Sequence, residues 1–379
     1  MSAQTLATPQ LDPVPQLDLA AQYSAIGPEI RAAIDRVLAS QQFILGREGA
    51  ALESEIAQLC GVAHGVGLAS GTDALILALR ACGVQPGDEV LLPPFTFVAT
   101  GSAVSALGAK PLFADILPGT FNLDPAELER RVTPRTRAII VVHLYGLAAD
   151  MDPILAFAHA RKLPVIEDAA QAIGASYKGK PAGSLSDIAC LSFYPTKNLG
   201  AYGDAGMAVT NSESLAARLR TLRNHGQTSK YVSSEPGLNS RLDEIQAAIL
   251  RIKLAHLPEW QRARQARAAE YTKRLANIHS VTTPAIPAGS DHVFHQYTIR
   301  VPRRDALQQF LAERKIGSTV YYPVPLHLQP LYASLGHKPG DFPASERAAQ
   351  EALSLPLYPE LRSEQIARVA TAIEEFFRS

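Results

Sequence analysis

With 36 Lys and Arg against 36 Asp and Glu, the 379-residue chain has a formal charge of zero, which argues against a nucleic-acid binder or a polybasic membrane anchor. Hydrophobic residues make up 47% and charged residues 19%, a composition typical of a globular protein rather than a disordered or coiled-coil chain. The three cysteines form no CxxC pair, which favours a reducing, cytoplasmic compartment and argues against a structural zinc site.

From about residue 64, short apolar runs alternate with helical segments, which predicts a mostly parallel β-sheet covered by helices on both faces. The predicted strands are 65–69, 89–93, 110–116, 138–144, 164–167, 188–193 and 207–210. The helices predicted between them are 71–81, 97–107, 125–132 and 151–162. The longest apolar run, 138–149, is too short to cross a bilayer, so we expect no membrane span.

The pattern changes after residue 255, where 256–275 predicts a long amphipathic helix. Beyond it, strands are predicted at 296–301 and 318–321, and helices at 304–315, 345–353 and 363–377. We therefore expect an N-terminal arm (1–22), a large domain (23–255) and a smaller C-terminal α+β domain (256–379).

Ligands of an open parallel sheet bind beyond the carboxyl ends of its strands, and four predicted strands are followed there by suggestive residues. Ser-Gly-Thr at 70–72 opens a helix whose free N–H groups can bind an anion. Asp168 ends an apolar strand, where a carboxylate is costly unless it is paired or binds a ligand. Lys197 precedes a Gly-rich loop, and burial would make its amine nucleophilic. Phe95 offers an aromatic face.

Taken singly, each of these features has a plainer structural explanation. Residues 70–72 and Asp168 could be helix caps, Phe95 a core side chain and Lys197 a surface lysine. Together they match the needs of pyridoxal phosphate (PLP), which are a Schiff-base lysine, a carboxylate at the ring nitrogen, an aromatic face and a phosphate cradle.

Seven stretches, in family order, resemble the DegT/DnrJ/EryC1/StrS family of sugar aminotransferases. The stretches are ILGREGAALE (44–53), LASGTDAL (68–75), PPFTFVAT (93–100), PVIEDAAQAIGA (164–175), SFYPTKNLGAYGDAG (192–206), GLNSRLDEIQAAIL (237–250) and YYPVPLHLQP (321–330). The resemblance covers nearly the whole chain, and SFYPTKNLGAYGD is its most specific part. It implies an α/β protein of the fold type I PLP-dependent transferases, with a mostly parallel central sheet and a smaller C-terminal α+β domain.

The resemblance also implies site residues. Lys197 matches the lysine that forms the Schiff base, Asp168 the partner of the pyridine nitrogen and Gln171 the residue near the ring hydroxyl. The other implied cofactor contacts are Gly71, Thr72 and Ser192 at the phosphate, Phe95 stacked on the ring, and Asn239 at the phosphate from the neighbouring subunit. The implied substrate contacts are Arg241, also from the neighbour, and Tyr322 and His327 beside the sugar.

By the same resemblance, we expect transfer of an amino group from L-glutamate to a nucleotide-linked keto-sugar, dTDP-3-keto-6-deoxyhexose, in a homodimer with shared sites. Lys197 favours transamination, because dehydratases of the family have histidine at this position. Tyr321-Tyr322 replaces the His-Tyr of some uronate-specific relatives and favours a neutral deoxy-sugar. A C4 or UDP-linked substrate remains open, as does a non-catalytic sensor of PLP or nucleotide sugar.

His292 and His295 have i,i+3 spacing beside Asp291, which is a possible start of a metal site. No third ligand follows at a regular interval, so we interpret the segment as a turn before the 296–301 strand. We therefore predict no metal.

Overall fold

The structure, a computed structural model, describes residues 12–378. Its strands are β1 (His64–Leu68), β2 (Glu89–Leu92), β3 (Lys110–Phe113), β4 (Thr136–Val142), β5 (Val165–Asp168), β6 (Ser176–Tyr177), β7 (Lys180–Pro181), β8 (Ile188–Ser192), β9 (Gly206–Thr210), β10 (Gln227–Ser229), β11 (Val232–Ser233), β12 (Ser290–Asp291), β13 (Tyr297–Arg300) and β14 (Ala352–Leu355). Its helices are α1 (Leu19–Ser40), α2 (Arg47–Leu59), α3 (Gly71–Ala81), α4 (Val98–Ala106), α5 (Leu128–Arg131), α6 (Met151–Arg161), α7 (Glu213–Leu222), α8 (Glu244–Leu275), α9 (Arg304–Glu313), α10 (Pro343–Glu351) and α11 (Ser363–Arg378).

The central sheet has seven strands in the order β1-β9-β8-β5-β4-β2-β3. Neighbouring strands from β8 to β3 pair in parallel, whereas β9 pairs antiparallel with both β8 and β1. Reversal of β9 alone leaves the other six strands pointing the same way, so their carboxyl ends meet at one edge. The predicted mostly parallel sheet is confirmed, and each of its predicted strands forms.

A buried carboxylate joins the start of α8 to the start of α2. Glu244 accepts hydrogen bonds from the N–H groups of Gly46 (2.9 Å), Glu48 (2.8 Å) and Gly49 (2.9 Å), which is how a helix N-terminus satisfies its free donors. A Cβ at position 46 or 49 would lie 2.8 or 2.7 Å from this carboxylate. Glycine is therefore required at both positions, and the segment that leads into α8 is held firmly.

A second hydrophobic core forms from the C-terminal part of the chain, with Val14 packed into it. Helix α8 belongs to both cores, because Ala247 and Leu250 pack in the large-domain core and Ala268 and Tyr271 in the second. The helix therefore crosses the expected boundary at 255/256 without a break. Of the predicted arm, 1–11 lie outside the described residues, and α1 begins within the remainder.

Of the two predicted C-terminal strands, 296–301 is confirmed as β13, and 318–321 is not. Residues 318–321 form no strand and contribute one isolated bridge, Thr319 to Ser354. The strand that pairs with β13 is β14, whose residues the sequence assigned in part to a helix at 345–353. Ala and Leu are among the strongest helix formers, but tertiary context overrides such propensities, and pairing with β13 decides the outcome. Within residues 12–378, no helix is long and apolar enough to cross a membrane.

Candidate active site

A cavity of about 610 Å³ lies at the sheet edge where the strand ends meet, within the size range of small-molecule sites. Its walls come from the start of α3, the segment between β2 and α4, the ends of β5 and β8, and the loop that follows β8. Residues 295–296 and 321–322, beyond α8, complete them. The cavity thus stands where the topology of an open α/β sheet places a ligand.

One end of the cavity is built to hold an anion. The Ser70 Oγ accepts a hydrogen bond from the Asp73 N–H at 3.1 Å, so α3 begins at Gly71 with its first N–H groups free. A Cβ at position 71 would lie 2.7 Å from the Ser192 Cβ, so only glycine allows the helix start and the end of β8 to approach this closely. Thr72 and Ser192 line the same end, which places the three predicted phosphate contacts together.

Asp168 ends β5 and is 6% exposed. Its Oδ2 accepts a hydrogen bond from the Thr100 hydroxyl at 2.7 Å, and its Oδ1 accepts one from the Ala170 N–H at 3.3 Å. Burial raises the pKa of this carboxyl, while these two donors and the nearby Lys197 ammonium oppose the rise. The site therefore contains a nearly buried carboxylate whose ionised form depends on the positive charge and donors around it.

Two lysines have a pKa that burial lowers to about 8, Lys197 and Lys253. The geometry separates them. Lys253 donates to the Gly200 carbonyl at 2.7 Å and lies 4.1 Å from the Tyr202 ring centre, so its amine is engaged. Lys197 lines the cavity and is the candidate nucleophile.

Gln171 and Tyr322 form a pair at the cavity wall. The Gln171 Oε1 accepts from the Tyr145 N–H at 2.7 Å, and its Nε2 donates to the Tyr322 hydroxyl at 3.1 Å. The first bond fixes which end of the amide carries the oxygen. Both side chains line the cavity, as the sequence predicted.

Phe95 is not where the sequence put it. It is fully buried, stacks on Phe121 with ring centres 5.8 Å apart, and is not among the cavity-lining residues of the described chain. The chain is already irregular after β2, and Phe97, two residues along, lines the cavity instead with 54% of its surface exposed. We therefore correct the predicted ring-stacking residue from Phe95 to Phe97.

His327 also lies away from the cavity. Its ring is buried against Phe342 with centres 4.6 Å apart, and its Nε2 lies 3.1 Å from the Glu346 Oε1. Burial lowers its pKa. Packing and pairing with Glu346 hold the ring outside the cavity, although its buried Nδ1 has no partner among the described residues. Its predicted place beside the sugar is therefore corrected.

Asn239 and Arg241, predicted to act on the neighbouring subunit, lie outside the cavity of their own chain as far as residues 12–378 define it. Asn239 is exposed. Arg241 donates to the Asn224 Oδ1 at 3.3 Å, and its buried Nε has no hydrogen-bond partner among the described residues. This placement is compatible with a role in a second copy.

Comparison with known proteins identifies the family. The model of the DegT/DnrJ/EryC1/StrS aminotransferase family matches residues 24–374. The chain belongs to this family. The chain and its relatives in the family align over nearly their whole lengths.

Three relatives within the DegT/DnrJ/EryC1/StrS family have instructive names. The "Pleiotropic regulatory protein" of Geobacillus stearothermophilus is 53% identical over 96% of this chain and 99% of its own. The "UDP-N-acetyl-3-dehydro-alpha-D-glucosamine 3-aminotranferase" of Acidithiobacillus ferrooxidans is 49% identical over 95% and 97%. The "dTDP-3-amino-3,4,6-trideoxy-alpha-D-glucose transaminase" of Streptomyces venezuelae is 47% identical over 96% and 96%.

Two solved structures also superpose on the chain over most of its length. S. venezuelae DesV in complex with a ketimine intermediate superposes with a TM-score of 0.95 at 46% identity, over 97% of this chain and 100% of that one. NtdA from Bacillus subtilis, with bound cofactor PMP, superposes with a TM-score of 0.91 at 33% identity, over 98% and 86%.

The cavity contains residues that the sequence did not single out for the site. The cavity lining includes Thr96, Phe97, His295 and Gln296. Thr100 donates a hydrogen bond to Asp168. Phe97 and Thr100 stand in the family stretch PPFTFVAT, so the stretch pointed to the right segment. His295 was assigned to a turn, and nothing in its spacing marks it as a cavity residue. Among residues 12–378, no group of three or more His, Cys, Asp or Glu could hold a metal.

Proposed function

We propose that this protein is a PLP-dependent aminotransferase that converts a nucleotide-linked keto-sugar to the amino sugar, with L-glutamate as the amino donor. The observation that carries the proposal is the joint presence in one cavity of a lysine with a lowered pKa, a nearly buried carboxylate and an anion cradle. Gly71 sits in that cradle where a Cβ would collide with Ser192. The residues present therefore fit PLP.

When bound, PLP supplies an electrophilic carbon for an amine and a ring that stabilises negative charge on the adjoining carbon. The chain's own residues do the rest. Lys197 has a pKa of about 8, so it can both hold and release a proton near neutral pH. The Asp168 carboxylate would stabilise a proton on the ring nitrogen of the bound cofactor. Phe97 lines the same cavity and would supply an aromatic face for the ring.

The substrate proposal rests on the names of the relatives and on two tyrosines. Both named transaminases act at sugar C3 by their names, one on a dTDP and one on a UDP sugar, which supports a 3-keto substrate more than a 4-keto one. Tyr321 and Tyr322 line the cavity and add no positive charge for a uronate carboxylate. We therefore favour a dTDP-3-keto-6-deoxyhexose, with the UDP-linked sugar as the alternative.

A sensor that binds without turnover is the second candidate, because a relative of 53% identity is named a pleiotropic regulatory protein. Assay of a panel of dTDP- and UDP-linked 3-keto and 4-keto sugars with labelled glutamate tests both ideas. We expect label in the amino sugar, with the 3-keto sugars preferred. A preference for 4-keto sugars would contradict the C3 proposal, and PLP binding with no turnover on the panel would favour the sensor.

We further propose a homodimer in which each cavity is completed by its partner. Within residues 12–378, Lys197 is the only cation that lines the cavity, and burial keeps His295 neutral by holding its pKa well below its usual range. A cofactor phosphate, a nucleotide diphosphate and a dicarboxylic donor together need more positive charge. Arg241, with its unpartnered Nε, can supply it from a second copy.

Four exposed apolar side chains, Leu38, Phe43, Ile44 and Leu45, lie on α1 and in the segment between α1 and α2 and offer a surface for the partner. The Glu244 N–H donates to the Phe43 carbonyl at 3.0 Å, and Ile44 bridges to Asp243. Neighbouring exposed apolar side chains on one face are typical of protein interfaces. Their backbone contacts with Asp243 and Glu244, which follow Arg241 closely in the chain, support a two-fold interface that brings this residue to the partner's cavity.

Mixing two inactive variants tests the shared site. We expect Lys197→Ala and Arg241→Ala, each inactive alone, to regain activity when their subunits exchange. Random exchange makes about half of the dimers mixed, and one site in each has both residues, so about a quarter of wild-type activity should return. Different affinity tags on the two chains confirm exchange. Complete exchange with no regained activity would place Arg241 at the site of its own chain.

The proposed compartment is the cytoplasm. Cys60, Cys82 and Cys190 are free thiols, as a reducing compartment requires. Burial raises the pKa of Cys60 and of Cys82 to about 12, so these thiols stay protonated and unreactive.

A further inference from the structure

Asp168 is held by Thr100, and Thr100 is in turn paired with Thr96. The Thr100 hydroxyl donates to the Asp168 Oδ2 at 2.7 Å, and the Thr96 and Thr100 hydroxyls lie 3.0 Å apart. All three side chains are buried, Thr100 completely. Water cannot replace the partner of a hydroxyl buried this deeply. Loss of its hydrogen bond therefore costs free energy.

The direction of the donors in this chain is fixed by Asp168. An ionised carboxylate only accepts, so Thr100 must give its one proton to Asp168. The Thr100 oxygen then accepts, and the proton between the two threonines comes from Thr96. The Thr96 oxygen is left as an acceptor, and Thr96 is among the residues that line the cavity.

Thr100 makes this bond instead of the local bond that a helical Ser or Thr usually makes. In the same helix, α4, the Ser105 hydroxyl donates back to the Gly101 carbonyl at 3.3 Å, which is the common pattern. The carbonyl four residues before Thr100 belongs to Thr96, which precedes the helix. The Thr100 hydroxyl is therefore free to serve a carboxylate 68 residues away in the chain.

We propose that Thr100, with Thr96 behind it, is a positioning residue that keeps Asp168 ionised and aimed at the ring nitrogen of the bound cofactor. The proposal rests on the proposed function in its choice of PLP as the ligand. The direct effect of Thr100 is on binding of the cofactor, and any effect on turnover follows from how the cofactor is bound.

The other titratable groups around Asp168 come from several elements. They are His143 after β4, Cys190 on β8, Lys197 in the loop after β8, and Tyr322. None of them changes when only a threonine is replaced. A difference in the pH dependence of cofactor binding between threonine variants can therefore be assigned to the hydroxyl.

The test compares Thr100→Val, which removes the hydroxyl at nearly the same shape, with Thr100→Ser, which keeps it. Loss of a hydrogen bond to a charged group should weaken PLP binding about tenfold or more and lower kcat by a similar factor. It should also move the acid limb of PLP binding to higher pH, because a carboxylate without its donor is protonated more easily. Thr100→Ser should stay within about threefold of wild type in all three measurements.

The matched control is Thr210→Val, which removes a buried hydroxyl that bonds to the Asp187 carbonyl at 2.6 Å, outside the cavity. It should leave PLP affinity and its pH dependence unchanged. If Thr100→Val does not fold, as judged by circular dichroism and thermal melting, Thr96→Val takes its place with a smaller expected effect in the same direction.

Wild-type PLP affinity and pH dependence in a folded Thr100→Val would overturn the proposal. So would a Thr100→Ser variant as impaired as Thr100→Val, since the methyl group and not the hydroxyl would then matter.

PLP binding by equilibrium dialysis needs no sugar substrate. A protein that responds in PLP binding but never transaminates would disprove the proposed function and leave this inference standing.

Discussion

Replacing Lys197 with alanine is expected to abolish turnover while leaving the fold intact. The side chain is half-buried at the cavity wall and contributes little to the core. Its pKa of about 8 leaves about a tenth of the amine neutral at pH 7, against less than a thousandth for an ordinary lysine. Removing the amine removes both the attachment to the cofactor and the group that moves the proton, so activity should fall below about a hundredth of wild type.

The control for this variant is the other lysine with a similarly lowered pKa. Borohydride reduction of the wild-type holoenzyme, followed by digestion and mass spectrometry, should find the pyridoxyl group on Lys197 and leave Lys253 unlabelled. Lys197→Arg keeps a positive charge but should be as inactive as the alanine variant. Label on Lys253, or more than about a hundredth of the activity in Lys197→Ala, would show that the nucleophile has been assigned wrongly.

The second large effect is expected for Asp168→Asn. Asparagine keeps the shape of the side chain but cannot carry the negative charge that stabilises a proton on the ring nitrogen. The ring then withdraws electrons poorly, and kcat should fall about a hundredfold or more. PLP should still bind, although more weakly, because the anion cradle at the start of α3 is untouched.

Asp204 provides the matched comparison for Asp168, because it is a second carboxylate at the same cavity but is exposed. Asp204→Asn removes the same charge without touching the buried site and should lower kcat much less. Steady-state kinetics of both variants, with PLP occupancy measured separately, show whether the loss of kcat is specific to Asp168. Near-normal kcat in Asp168→Asn at full occupancy would mean that another residue holds the pyridine nitrogen.

The sequence predicted the sheet because its signal is local. Apolar runs such as 138–144 and 188–193 stand between helical segments, and burial on both faces makes a parallel strand continuously apolar. β14 was missed because its signal is not local. The residues Ala-Leu-Ser-Leu carry no alternation, and only their pairing with β13 makes them a strand.

The site shows the same division. Asp168 ends β5, and Gln171 and Lys197 lie in the segments that follow β5 and β8. The topology brings all three to the cavity, and the family resemblance singled them out within those segments. Phe95 and Phe97 lie two residues apart in an irregular segment, where no periodicity tells which side chain faces inward. His327 depended on the burial of its surroundings and on Glu346, neither of which the sequence displays.

The cap that Glu244 forms on α2 has a consequence for assembly. Arg241 lies three residues before this carboxylate, whose three backbone donors tie it to residues 46–49. In the proposed dimer, the backbone near Arg241 is therefore already ordered in the free subunit, and association need not lose conformational entropy there. Two subunits can then meet as preformed surfaces, and the affinity between them is not lowered by folding of the segment that carries Arg241.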